Sequence, residues 1–321
     1  MPKEQSINLL QLIIVIVISI MIVSCNSSVE PNHTTFDPGP ILFVYNGQLW
    51  SMKEDGSEVK QLTIDNDFPI FEAKWSPDGT KIAFTSFAPN INPPHDFTKA
   101  IYIMDADGSG KRQITNPPTG FRMSGDTGII WSPDGEKIAF SRHLPPEALG
   151  RIAIFTVNLE MENEVLLSDT ARAVYGWYPD SDKLLVGLTH LHSTLAVIDM
   201  SGNILEVLTS PDTTVNSARL SPDGNKIALS YSAELHIMNS NGENLQKLKD
   251  AIYADWVQVW SPESDRIIFI EEHKREQAFT PIPRYLKIIN ISTMDEIDIS
   301  PFDYREIDYS SSYYVTSWKR R

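Results

Sequence analysis

The sequence predicts an all-β protein, a six-bladed β-propeller with four-stranded blades. The first observation is a recurring phrase, Trp-Ser-Pro-Asp-Gly-x-Lys-Ile-Ala-Phe, in which strand-like runs flank a turn. Pro fixes φ at the second turn position, Asp caps the turn through its side chain, and Gly takes the position with positive φ. Each copy therefore predicts a β-hairpin. Clear and degraded copies occupy 75–84, 131–140, 177–186, 220–229 and 260–269.

A second hairpin follows each copy of the first. Its clearest example covers 101–115, where two β-rich runs flank the polar turn Asp-Ala-Asp-Gly-Ser. Two hairpins make four strands, and units of four short strands without helical periodicity are typical of propeller blades. Related segments occupy 152–167, 195–209, 235–248 and 286–299.

The two ends of the chain complete one blade. We name the strands of each blade A to D, so that strand A ends at the Trp of the first phrase. The repeats begin at a strand B, 41–46, and continue through strands C and D in 48–63, while the missing strand A is found at 312–318. We therefore expect the C-terminal strand to join the N-terminal blade, which removes an open sheet edge. The six A strands end near Trp75, Trp131, Trp177, Leu220, Trp260 and Trp318.

The N-terminal segment has a different character. Residues 7–23 form an apolar run after a short stretch with one cation, Lys3, which predicts an export signal. The run ends in Ile-Val-Ser-Cys at 22–25, which resembles the lipobox of bacterial lipoproteins and implies a diacylglycerol on Cys25. An uncleaved transmembrane anchor is the alternative, since about 17 residues can just span a bilayer. We expect a lipoprotein signal peptide at 1–24, the lipidated Cys and a flexible tether at 25–39, and the propeller at 40–321.

Charge and cysteine content exclude several classes of function. The net charge is −15, which repels nucleic acid and an anionic bilayer surface. We interpret this acidity as a means of keeping an all-β surface soluble. Cys25 is the only cysteine, so disulfides and cysteine-based metal sites are excluded.

The two hairpin phrases resemble those of TolB-type propellers, and the resemblance covers nearly everything from Ile41 to Trp318. It implies a six-bladed propeller in the cell envelope. Propellers with this repeat serve as binding modules and as enzyme domains alike. TolB proteins also carry an N-terminal α/β domain, and we expect none here, because the signal and tether occupy the chain before the first strand.

The candidate ligand-binding face is the one that carries the long loops. Strand order places the A–B and C–D turns on one face and the B–C and D–A connections on the other. The long insertions all fall on B–C or D–A connections, and variable loops on a rigid scaffold are where binding usually resides. The insertions are 86–99, 116–127, 142–150 and 271–284. The candidate ligand-binding residues are His95, Asp96, Phe97, Arg122, Arg142, His143, His190, His192 and His273.

The first functional hypothesis is a non-catalytic lipoprotein that binds a protein, peptide or glycan partner in the envelope, as a monomer and without a cofactor. We place it on the periplasmic side of the envelope or at the cell surface. The outer membrane is favoured, because Asn26 rather than Asp follows the lipidated Cys. The tryptophans that end strand A are expected to be core residues between blades rather than platforms for sugars.

The second hypothesis is a metal-dependent polysaccharide lyase or hydrolase. His190 and His192 place two imidazoles on one side of an extended segment, where they could hold a divalent ion with a third ligand such as His143 or His273. The pair is similar to the histidines of the oligogalacturonate lyases, a propeller family with a histidine-held metal. The competing interpretation is that these are surface histidines on polar loops.

Overall fold

The computed structural model describes residues 39–64, 69–89, 91, 96–119, 125–145, 151–188, 194–210, 213, 215–250, 259–272, 284–300 and 313–319. They belong to the second of the two units into which the chain divides, Pro38–Arg321. The predicted signal peptide, Cys25 and nearly all of the tether lie outside the described residues. Within the described ranges there is no helix long and apolar enough to cross a bilayer.

The secondary structure of the described residues is entirely β. The strands are, in chain order, β1 (Ile41–Tyr45), β2 (Gln48–Met52), β3 (Lys60–Gln61), β4 (Glu72–Trp75), β5 (Lys81–Phe87), β6 (Lys99–Asp105), β7 (Arg112–Gln113), β8 (Gly125–Trp131), β9 (Lys137–His143), β10 (Ile152–Asn158), β11 (Glu164–Ser168), β12 (Ala171–Trp177), β13 (Lys183–Leu188), β14 (Thr194–Asp199), β15 (Ile204–Val207), β16 (Val215–Leu220), β17 (Lys226–Tyr231), β18 (Glu234–Asn239), β19 (Gln246–Lys249), β20 (Val259–Trp260), β21 (Arg266–Glu272), β22 (Arg284–Asn290), β23 (Glu296–Asp298) and β24 (Tyr313–Trp318).

The strands form antiparallel four-strand units. Strands β12–β15, β16–β19 and β20–β23 each make one sheet in chain order, and another sheet has the order β24-β1-β2-β3. An eight-stranded sheet contains the units β4–β7 and β8–β11, which a single parallel residue pair, Lys99 with Gly125, joins. The predicted all-β propeller fold is confirmed.

Strand β24 occupies the position of strand A in the first sheet. It pairs antiparallel with β1, with Trp318 opposite Ile41 and Tyr313 opposite Tyr45. The Lys319 amide adds a hydrogen bond to the Pro40 carbonyl at 3.0 Å. The last described strand therefore lies beside the first, as the phase of the repeats predicts.

The A–B turns have the geometry that their sequence predicts. In the turn after β4, Ser76 Oγ donates to Asp78 at 2.6 Å, and Asp78 accepts from the Thr80 amide at 3.1 Å. Gly79 has φ of +70°, a conformation that costs glycine little because it has no Cβ. These bonds are local, so a short phrase is enough to specify the hairpin.

The hydrophobic core lies between successive units. One cluster packs Leu42 and Leu49 of the first sheet against Ile82 and Phe84 of β5. The opposite side of the first sheet packs Phe43 against Ile268 of the β20–β23 unit. Each of the other four clusters likewise joins one unit to the next in the chain. Packing between units, rather than within one sheet, thus builds the core and positions the A strands.

Candidate functional site: a cavity at the ends of the A strands

A cavity of about 550 Å³ lies where the A strands end. Each four-strand unit contributes to its wall with the end of strand A, and most units also contribute the start of the A–B turn. The lining residues fall within 74–77, 130–133, 175–177, 219–222, 259–262 and 317–319. The repeated phrase thus brings one short segment from every unit to a common opening.

Indole rings hold neighbouring segments of this wall together. The Nε1 of a strand-A tryptophan donates to the backbone carbonyl of the residue just before the equivalent position in the preceding unit. The pairs are Trp131 with Lys74 (3.1 Å), Trp177 with Ile130 (3.2 Å) and Trp260 with Arg219 (3.0 Å). These side chains are 5–8% exposed, so they are core residues.

Three units depart from this pattern. Trp75 donates from Nε1 to the Pro40 carbonyl at 3.1 Å, and the buried Nε1 of Trp318 has no partner among the described residues. The third such unit has no tryptophan at this position. Leu220 stands where other units have Trp, and it has no N–H to donate to the preceding unit. The backbone there is close: a Cβ on Gly176 would lie 2.5 Å from the Leu220 Cβ. A glycine and a smaller apolar side chain therefore replace the indole contact at this junction.

The cavity wall is cationic. Lys74, Arg219 and Lys319 line it, and none of the described lining residues is Asp or Glu. Lys74 Nζ lies 3.7 Å from the carboxylate of Glu72, two residues earlier on the same strand. Arg219 donates from Nη1 to the Ala218 carbonyl at 2.7 Å, and no described carboxylate lies within 4.0 Å of it.

Burial weakens the protonated form of both inner cations. It lowers the pKa of Lys74 to about 8, with Glu72 opposing the shift and Arg219 adding to it. Burial likewise lowers the pKa of Arg219 below its ordinary value. Lys74 and Arg219 line the cavity and Glu72 does not, but the three charges interact with one another and form one electrostatic group.

Carboxylates surround the mouth rather than the wall. Asp78, Asp134 and Asp223 each follow a lining proline, and all three are exposed. Hydrogen bonds from Ser76 lower the pKa of Asp78, so this rim stays ionised at neutral pH. The cavity is therefore positive inside and negative at its edge.

The candidate residues predicted from the sequence belong to the opposite face, where Asp96 and Phe97 lie before β6. The Asp96 carboxylate is buried and accepts from the Thr98 amide at 2.8 Å and from its hydroxyl. Phe97 is 37% exposed and lies 6.0 Å from Phe87, ring centre to ring centre. Asp96 thus caps the local backbone, while Phe97 is available to a ligand.

Arg142 is part of a buried polar network. Its guanidinium binds Asp126 through two hydrogen bonds of 2.6 and 2.9 Å and also pairs with Glu164. Thr115 adds a bond of 2.6 Å to Asp126, and the ring of Phe155 lies 4.8 Å from the guanidinium carbon. These contacts link β8, β9 and β11 to the segment after β7, so this arginine stabilises the scaffold.

His143 lies half-buried at the end of β9. Its burial, followed by the charges of Lys99 and Arg172, lowers its pKa and favours the neutral imidazole. The other candidates from the sequence, His95, Arg122, His190, His192 and His273, lie outside the described residues. Among the residues the structure does describe, no group of three His, Cys, Asp or Glu could hold a metal ion.

Comparisons with known proteins point to one fold. No family model matches the chain. Over 105 residues it is 32% identical to an uncharacterized protein of Agrobacterium fabrum, covering 31% of this chain and 33% of that protein. Over 95 residues it is 33% identical to the Tol-Pal system protein TolB of Alcanivorax borkumensis, covering 29% and 19%. The chain matches a third or less of the length of each curated relative.

Solved structures extend the likeness to most of the chain. TolB from Acinetobacter baumannii superposes with a TM-score of 0.66 at 19% identity, covering 87% of this chain and 66% of that one. The fold is a TolB-like β-propeller. A putative TolB from Agrobacterium tumefaciens gives 0.61 at 16% identity, covering 87% and 99%. A manganese-bound oligogalacturonate lyase gives 0.50 at 16% identity, covering 79% and 73%, so an enzyme shares this fold with the TolB proteins.

The sequence did not predict this cavity, because the A–B turns beside it are short and stereotyped, and such turns usually have a structural role. A signal was present at the residue just before the strand-A Trp or Leu, a position where the repeat does not dictate the side chain. The residues at this position are Lys74, Ile130, Gly176, Arg219, Val259 and Ser317. Two cations within an otherwise apolar or small set indicate a function beyond packing.

Proposed function

We propose that this chain is a non-catalytic, lipid-anchored protein of the cell envelope that binds a protein, peptide or glycan partner through its TolB-like propeller. The cavity at the ends of the A strands carries this proposal. Its volume of about 550 Å³ falls in the range of ligand-binding clefts, and its wall combines apolar and aromatic residues with the cations Lys74, Arg219 and Lys319. The relative named as a Tol-Pal system protein favours a protein partner.

The architecture that we propose for the binding scaffold has six blades closed into a ring. In this view the eight-stranded sheet is two blades joined by one parallel pair, and β24 closes the ring by pairing with β1. The six apolar clusters, each between successive units, support it. A closed ring fixes the A strands around one axis, which makes the cavity rigid.

We propose an anchor for this scaffold at the N-terminus. Residues 1–24 are removed, Cys25 carries lipid, residues 25–39 form the tether and 40–321 form the propeller. We place the protein on the periplasmic side of the envelope, with the outer membrane favoured, or at the cell surface. Metabolic labelling with an alkyne fatty acid tests this: the wild-type chain takes up label and Cys25→Ser does not. Equal labelling of both chains contradicts lipidation at this cysteine.

Site-specific photo-crosslinking tests where the partner binds. Benzoylphenylalanine replaces Pro133 at the cavity, Phe97 on the opposite face, or Leu205 on the outer strand β15 as a control, because all three are exposed. We expect one discrete crosslinked partner from Pro133 in the producing cell and none from Leu205. A partner captured only from Phe97 moves the binding site to the long-loop face, and no discrete product from either position contradicts the binding function.

A further inference from the structure

The cavity is a positive site in an acidic protein. The chain has 42 acidic and 27 basic side chains, yet the described cavity wall has Lys74, Arg219 and Lys319 and no carboxylate. Lys319 lies at the mouth, with its Nζ 4.2 Å from the centre of the Trp75 ring. The charge of the cavity wall is therefore positive, whereas the net charge of the whole protein is negative.

The two inner cations approach the cavity from different sides. Lys74 precedes the Trp of the second unit, and Arg219 precedes the Leu of the fifth. In a closed ring of six, these units lie opposite each other. Their charges nevertheless interact, since Arg219 contributes to the pKa of Lys74. An anion on the axis of the cavity could therefore reach both.

One carboxylate is shared among several positive groups. Glu72 lies 3.7 Å from Lys74, and it also accepts from the backbone amides of Gly128 at 2.9 Å and Ile129 at 3.3 Å. Arg219 has no described carboxylate within 4.0 Å. A partly desolvated guanidinium gains a charge-assisted hydrogen bond when a ligand supplies a carboxylate.

The carboxylates at the rim do not cancel this charge. Asp78, Asp134 and Asp223 are exposed, so water and salt screen them within about 8 Å at physiological ionic strength. Charges inside the cavity are screened much less. The interior favours an anionic group, while the rim disfavours a ligand that is negative along its whole length.

The aromatic rings favour a peptide over a sugar. A sugar that stacks on an indole needs an open ring face, and the strand-A tryptophans are 5–8% exposed. Lys319 also covers part of Trp75, and Arg266 lies 4.7 Å from the Trp318 ring. The wall presents cations and buried tryptophan rings without open faces. Such a wall favours a carboxylate on a flexible peptide over a stacked sugar.

We propose that the cavity binds an acidic peptide segment whose carboxylate reaches Lys74 and Arg219. This inference rests on the proposed binding function and names the chemistry of its ligand. The partner is thus an envelope protein that presents a short acidic stretch, as a chain end or a loop, flanked by residues that are not acidic.

Peptides of defined charge test the inference with the full-length chain in non-ionic detergent. Three rhodamine-labelled, C-terminally amidated hexapeptides share the start Gly-Ser-Gly and end in three Glu, three Gln or three Lys. Fluorescence anisotropy measures each Kd. We expect the Glu peptide to bind at least tenfold more tightly than the Gln and Lys peptides, with a Kd that rises with salt. Equal Kd values for the Glu and Gln peptides overturn the inference.

Matched variants locate the effect. The double variant Lys74→Gln and Arg219→Gln should lose the tenfold preference, whereas Lys60→Gln, which removes a charge from the exposed strand β3, should keep it. Denaturation midpoints check that each variant is folded. If the double variant does not fold, the single variants Lys74→Gln and Arg219→Gln replace it, and each should weaken the preference for Glu; an unchanged preference in both folded single variants contradicts the assigned cations. A preference that survives in a folded double variant contradicts the assigned cations.

The remaining outcomes separate this inference from the proposed function. If rhodamine-labelled tetragalacturonate binds the wild-type chain more tightly than the double variant while the Glu peptide does not bind, the ligand is an acidic glycan rather than an acidic peptide. A Pro133 crosslink that persists in the double variant keeps the binding function and removes the acidic ligand. Absence of both the crosslink and the peptide preference removes both.

Discussion

The hydrogen bond of the strand-A indole gives the sharpest test of how the units hold together. Trp131 donates to the Lys74 carbonyl at 3.1 Å, whereas Trp318 has no hydrogen-bond partner for its buried Nε1 among the described residues. Replacing either by Phe removes the N–H and a similar part of the ring. The loss of ring area is therefore common to the two variants, and the hydrogen bond is what differs.

The expected difference follows from the two environments. Trp131→Phe loses a net hydrogen bond of about 1 kcal/mol. Trp318→Phe removes a donor that already lacks a described partner, a defect that costs about 1–3 kcal/mol. Arg266 lies over the Trp318 ring and interacts less with Phe, which reduces the contrast by about 0.5 kcal/mol. We expect Trp131→Phe to lower the free energy of unfolding by about 2 kcal/mol more than Trp318→Phe.

Urea unfolding followed by far-ultraviolet circular dichroism measures this difference, because that signal does not depend on the indoles being replaced. The denaturant dependence of the unfolding free energy should be the same in both variants, so that the midpoints report stability alone. Equal destabilisation, or a larger loss in Trp318→Phe, would refute the role assigned to the indole hydrogen bond.

Three further predictions concern buried and candidate ligating groups. The pKa of Lys74 is about 8 in the folded chain and 10.5 in an ordinary lysine, so the unfolded chain binds more protons between these two pH values. The free energy of unfolding, measured by urea titration, should therefore rise with pH across this window. Lys74→Met should remove the rise. Arg142→Met should lower the free energy of unfolding by about 3–5 kcal/mol, because it leaves the buried Asp126 without a positively charged partner. Adding Asp126→Asn should recover part of that loss, and no recovery contradicts the pairing. We expect purified protein to carry no stoichiometric divalent ion. Its melting temperature should not change on addition of chelator or in the double variant His190→Ala and His192→Ala. A bound metal whose loss lowers the melting temperature favours the lyase hypothesis.

Local chemistry is what made much of the fold predictable. The turn at Ser76, Asp78 and Gly79 is closed by hydrogen bonds within a few residues, so a short phrase specifies it. The same holds for the buried strand-A tryptophans, whose repetition predicts a shared environment. The place of β24 beside β1 could also be predicted, because the phase of the repeats leaves the first blade without a strand A and adds one strand A after the last complete blade.

The roles of individual polar residues were harder to predict. Arg142 and Asp96 lie in or beside polar insertions, which suggested ligand contacts, but Asp96 caps Thr98 and Arg142 pairs with Asp126, sixteen positions away. Burial decides such roles, and sequence patterns in loops carry little information about burial. The positions of the loop histidines stay predictions, because those residues lie outside the described part of the chain.

The sequence by itself determined the class of fold, the four-strand repeat and the position of each hairpin, because turn chemistry and strand alternation act over a few residues. Only the tertiary structure decided where the charges meet. Lys74 and Arg219 are far apart in the chain, and no local sequence pattern marks either of them as part of a site. They share one cavity because packing between units brings the ends of the A strands together, and burial there lowers the pKa of both cations.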